Sequence, residues 1–147
     1  MTQPMVDYAT AADLAFHGCP RSVIDAAEAR EPGITAAQLT TQSRIVDGYA
    51  RPKRYIVPFT TVPDEVKNVV CKLVAYELLR VRGVDSNADA NELARLAAKS
   101  ATDWLKDLSK GSVQLDSPTE NGPIASSGKP DAPTCFDEKF QNDWADF

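Results

Sequence analysis

His17 and Cys19 are the first side chains in the sequence that could do chemistry together: the sole histidine, and a thiol two residues further on. An imidazole beside a thiol can generate a nucleophilic thiolate, and the same two groups are common zinc ligands. Neither use fits this pair. Tetrahedral zinc takes three or four protein ligands, and no CxxC pair or second histidine follows. Two residues apart at the end of a predicted helix, the two groups do not approach as a hydrogen-bonded dyad. A histidine complementing the negative end of a helix dipole accounts for His17. The acid pair Asp64-Glu65 stands at a helix opening, where it offsets the positive end of the dipole. No GxxxxGK[ST], GxGxxG or HExxH occurs. The expectation is no catalytic residue, no cofactor and no metal: the chain is not an enzyme.

Two other groups of residues suit contact better than catalysis. Arg51-Pro52-Lys53-Arg54 places three cations at a helix end and the loop after it. They could touch DNA phosphates, line a charged channel or an interface, or simply favour the helix C-terminus. Near the other end of the sequence, Phe136, Phe140, Trp144 and Phe147 stand at i, i+4, i+8 and i+11 among acids. On a helix they would form one stripe. Four large aromatics in twelve residues suit partner docking, with each ring an anchor in an apolar pocket.

The elements that must position these groups read as helices. Thr10-Ala-Ala-Asp13 is a capping box opening a helix to His17, with Gly18 as the stop; Pro20 suits the first position of a second helix, broken by Glu31-Pro32-Gly33. Thr35-Ala-Ala-Gln38 is another capping box, and Leu39, Gln42, Ser43, Val46, Tyr49 and Ala50 follow at helical spacing until Pro52. Tyr55-Ile56-Val57-Pro58-Phe59 is apolar, extended and too proline-bounded for a central strand, so it reads as a linker packed on the core. Pro63-Asp64-Glu65 opens a helix with apolar residues on more than one face from Val66 to Leu79, buried within the subunit or between subunits. Ser86-Asn-Ala-Asp89 opens the longest helix, carrying Leu93, Leu96, Ala97, Ala101, Trp104, Leu105 and Leu108 and closed by Gly111. Ser112–Leu115 is a candidate edge strand.

The predicted class is all-α: a small bundle of four to five helices with an extended C-terminal tail. Its predicted units are a helical domain (1–115), a polar Pro/Gly/Ser-rich linker (116–134) and an acidic aromatic docking tail (135–147). Charge follows the same division. Residues 1–111 hold 14 acidic and 14 basic side chains, so the whole formal charge of −5 falls in the remainder. That balance disfavours a sequence-reading nucleic-acid binder, which would show a basic face. Cys19, Cys71 and Cys135 are three at wide spacing and are expected to be unpaired. No run approaches a membrane span, and the first residues lack a signal-peptide layout, so a cytosolic origin is expected.

Several segments, taken in order, resemble the Mu-like prophage head–tail adaptor (neck) proteins. They are Met5-Val-Asp-Tyr8-Ala-Thr10-Ala-Ala-Asp13-Leu14, Ile45-Val-Asp47-Gly-Tyr49, Arg54-Tyr55-Ile56-Val57-Pro58-Phe59, and Val62-Pro63 leading into the helix to Arg82 with Tyr76. The last is Ala101 to Gly111, with Asp103-Trp104-Leu105 and the Lys110-Gly111 turn; the likeness covers residues 5 to 115. The resemblance implies a subunit that assembles, typically as a twelvefold ring, in the neck of the virion, built in the host bacterial cytoplasm. Its implied partners are the portal protein, neighbouring copies, and a tail-proximal neck or tail terminator protein, with genomic DNA passing through unread. The rival expectation is a small helical regulatory or interaction protein whose C-terminal tail folds on a partner.

Overall fold

Helix α1 (Ala11–Phe16) opens with its capping box formed: the Thr10 N–H donates to the Asp13 carboxylate at 2.9 Å and the Asp13 N–H to the Thr10 hydroxyl at 3.3 Å. His17 caps its other end. This computed structural model describes residues 6–17, 19–83, 88–119 and 122–123. Helix α2 (Arg21–Arg30) begins one residue later than predicted, with Pro20 as the N-cap.

The capping box expected at Thr35 is not what opens α3 (Ile34–Ala50). Gly33, with φ +84°, is the N-cap, and Thr35 lies buried inside the first turn. Glu28 of the preceding helix does the capping: its carboxylate accepts the N–H of Gly33 at 2.7 Å and of Thr35 at 3.0 Å. Only a left-handed residue turns the chain this sharply between α2 and α3, and the turn brings Glu28 over the unpaired amides. The Thr35 hydroxyl beside it and these two N–H groups hold the Glu28 carboxyl below the usual carboxylate range. A depressed folded-state value contributes stability that is complete above the unfolded value of about 4.3 and disappears as pH falls through the folded one. Glu28→Gln is therefore expected to melt below wild type at pH 7, with the gap closing in acid once wild-type Glu28 is protonated. A gap that stays constant with pH would contradict this role.

Helix α4 (Asp64–Arg82) is capped by Pro63 and packs against α1, α2, α3 and α5. Val66, Val69, Val70, Cys71, Val74 and Leu78 are all buried by these neighbours, so its several apolar faces are used within the subunit. Helix α5 (Ala88–Lys110) ends at Gly111, φ +85°, with the Gly111 N–H on the Leu108 carbonyl (3.1 Å) and the Ser112 N–H on that of Asp107 (2.9 Å). Its apolar stripe is only half consumed. Ala101, Leu105 and Leu108 are buried, whereas Leu93 is 69% exposed and Leu96 47%. The residues that would complete a capping box from Ser86 lie partly outside the described ones.

An aromatic junction joins four segments of the chain. Tyr8 is buried against Phe59, ring centres 5.4 Å apart, and Phe59 stands 6.3 Å from Tyr55. The Tyr8 hydroxyl donates to Asp47 of α3 and accepts the Phe59 N–H at 3.0 Å, while the Tyr8 N–H donates to Ser43 at 3.0 Å. Tyr55–Phe59 is thus the core-packed linker its composition predicts, with a cis bond before Pro58.

Ser112–Leu115 is not the expected strand. Leu115 is buried and its N–H donates to the Tyr55 hydroxyl at 2.9 Å, so a side chain supplies the partner a strand would have needed. Body contacts reach further still, through buried Ser117 and an Ile56 N–H to Pro118 carbonyl bond of 3.2 Å. Pro118–Thr119 and Gly122–Pro123 form a two-residue antiparallel ribbon. The remaining linker residues and the tail 135–147 lie outside the described residues. Among the described residues the fold is an all-α bundle of five α-helices. Among the described residues no helix is long and apolar enough to cross a membrane.

Candidate functional site

The three cations singled out in the sequence come together at one end of the bundle. After Ala50 the proline prevents α3 from continuing, and the chain tightens into a 3₁₀ turn, Arg51–Lys53. Arg54 takes the left-handed conformation, φ +57°, before Tyr55 is drawn into the junction. Arg51, Lys53 and Arg54 are all exposed.

Lys53 and Arg51 also act within the subunit. A Cβ built on Gly111 would stand 2.8 Å from Lys53 Cε and 2.9 Å from Nζ, so the lysine lies over the end of α5. Its ammonium sits at the negative pole of that dipole, a helix-end role on α5 instead of on α3. Arg51 acts on the junction: burial pushes the half-buried Asp47 carboxyl up, while the Tyr8 hydrogen bond and the Arg51 charge pull it back. Burial first, and the bond to Asp47 second, push the Tyr8 hydroxyl far above its ordinary range. Exposed Lys110, next to Gly111, adds a fourth cation to this corner. Lys110 is the last residue of α5, and the Lys53–Gly111 approach joins the two groups. The charge of this corner is of the sign that a polyanion would meet.

Cys19 and Cys71 are free and buried, and burial pushes both thiols up, Cys71 to about 12. Neither is poised as a thiolate nucleophile or ligand. Among the described residues no group of three or more His, Cys, Asp and Glu side chains could hold a metal. Cys135, Phe136, Phe140, Trp144 and Phe147 lie outside the described residues.

A second feature was not foreseen. An apolar groove of about 510 Å³ runs between the start of α2, the later turns of α4 and the first turns of α5. Val23, Leu79, Leu93 and Ala94 form its walls, with His17, Lys72 and Arg82 also lining it. Its only signal in the sequence is the continuation of the α5 stripe to Leu93, beyond what the core uses.

The family model described as "Bacteriophage Mu, Gp36" matches residues 8–132. The chain belongs to this family. The match begins at Tyr8 of the junction, takes in all five helices and the basic corner, and continues to residue 132. The likeness read in the sequence stopped at 115, so the family extends over most of the linker as well, leaving residues 133–147 beyond it. No curated protein and no solved structure matches the chain. Family membership makes this a Mu-like phage protein.

Proposed function

We propose that the chain is a structural subunit of the phage neck: a head–tail adaptor, assembled as a ring between portal and tail around the DNA channel. The observation that carries this reading is the family membership over residues 8–132. The molecule's chemistry agrees with it. The described thiols are buried and pushed up by that burial, and the basic corner suits sequence-independent contact with DNA passing along a channel. Phe16, Ile45, Ile56 and Leu93 leave apolar side chains exposed on different elements, available to neighbouring proteins.

In this reading the virion is the site of action and the subunit has no catalytic role. Its partners are neighbouring copies, the portal protein, and a tail-proximal neck or tail terminator protein. Phe136, Phe140, Trp144 and Phe147 are the anchors by which residues 135–147 hold another component, the portal first among them. Arg51, Lys53 and Arg54 face the channel or a neighbouring subunit. A phage carrying a nonsense mutation in this chain's coding sequence tests the assignment. Micrographs of the lysate should show DNA-filled heads and separate tails, with joining restored by the chain supplied in trans. Normally joined, infectious particles without the chain would overturn it.

A further inference from the structure

The groove between α2, α4 and α5 needs an occupant. It is open beside Leu93, 69% exposed on a helix whose later stripe residues Ala101, Leu105 and Leu108 are buried, and Phe16 is 85% exposed at the end of α1, next to groove-lining His17. Its volume of about 510 Å³ falls within the roughly 300–1,000 Å³ of pockets that enclose an organic ligand, enough to seat aromatic side chains. The charged residues in its lining, Lys72 and Arg82, are both cations.

We infer that this groove is the seat of the chain's own C-terminal segment, residues 135–147, folded back from the same subunit before assembly. Three observations select that occupant. Residues 136–147 bring four aromatic anchors for an apolar groove. They also bring Asp137, Glu138, Asp143 and Asp146 against Lys139 alone, a sign opposite to that of Lys72 in the groove lining. The reach is sufficient. The path leaves the body near the end of α5, where the ribbon of Gly122–Pro123 is tied to Ile56 through Pro118. From Gly111 back to Ala94 the helix rises about 26 Å, whereas the thirteen residues from Pro123 to Phe136 can span up to ~43 Å. A short tether also gives the segment a millimolar effective concentration at its own groove, ahead of any free copy.

The inference does not depend on the neck reading: it concerns the free chain, whatever that chain later joins. Joining heads to tails would thus require the segment to leave one seat for another. A photo-cross-linking residue in the full-length chain, Phe140→p-benzoylphenylalanine, tests it. Cross-links should form within the monomer and map to Val23, Leu79, Leu93 or Ala94. Leu93→Glu in the same chain should lower their yield at least tenfold with the helical circular dichroism unchanged, since Leu93 is mostly exposed. Cross-links between two copies, cross-links to other parts of the body, or a yield that Leu93→Glu leaves intact would each overturn it.

Discussion

Tyr8→Ala is expected to destabilise the protein by about 3–5 kcal/mol, the cost of deleting a fully buried aromatic ring and leaving a cavity. Tyr8 is 2% exposed and packs on Phe59. Its hydroxyl links the Phe59 amide to Asp47. Tyr8→Phe separates the two contributions. It keeps the ring but leaves the Phe59 N–H without its acceptor and the half-buried Asp47 without its donor, at a cost of about 1–3 kcal/mol. Urea unfolding of the two variants measures both. A Tyr8→Phe midpoint indistinguishable from wild type would mean the hydroxyl is not what joins the N-terminal segment to α3. Because the junction also holds Tyr55 and, through it, Leu115, the basic corner should lose its order along with Tyr8.

Val70→Asp should have a larger effect still. Val70 is fully buried in the first half of α4, the helix in contact with every other α-helix of the bundle. An aspartate there would sit within the hydrophobic core cluster, so the carboxylate must either stay charged at a large desolvation cost or take up a proton to remain buried. The expected loss exceeds about 4 kcal/mol, comparable to the whole stability of a small domain. The variant should be insoluble, or soluble without a cooperative melt. A cooperative melt near that of wild type would show that this face of α4 is free in the subunit and covered only on assembly.

The contrast between these residues and Leu93 shows what the sequence carries and what it omits. Periodicity identifies Val70 and Leu93 alike as apolar positions on helices, and capping chemistry places the start of α1 correctly because Thr10 and Asp13 need only each other. Thr35 misleads for the opposite reason: its partner is Glu28, in another helix, brought close by a left-handed glycine whose effect is not local. Leu115 misleads likewise, since the hydroxyl that satisfies its amide belongs to Tyr55, sixty residues earlier. Arg51, Lys53 and Arg54 are legible as a cluster because they are adjacent. That Lys53 serves the end of α5, and that Lys110 joins them, depends on two helix ends meeting in space. The groove is of the same kind. It exists because the core stops short of the first turns of α5, a property of packing that no window of sequence contains.

The most direct test of the neck assignment is a cryo-electron microscopy map of the intact virion at the head–tail junction. The account predicts a ring of this five-helix fold between portal and tail, with the turn Arg51–Lys53 and Arg54 directed at the channel or at a neighbouring subunit. It predicts residues 135–147 seated on another component of the neck, with Phe136, Phe140, Trp144 and Phe147 in apolar pockets. A junction built wholly of other chains, with this fold absent from it, would contradict the assignment.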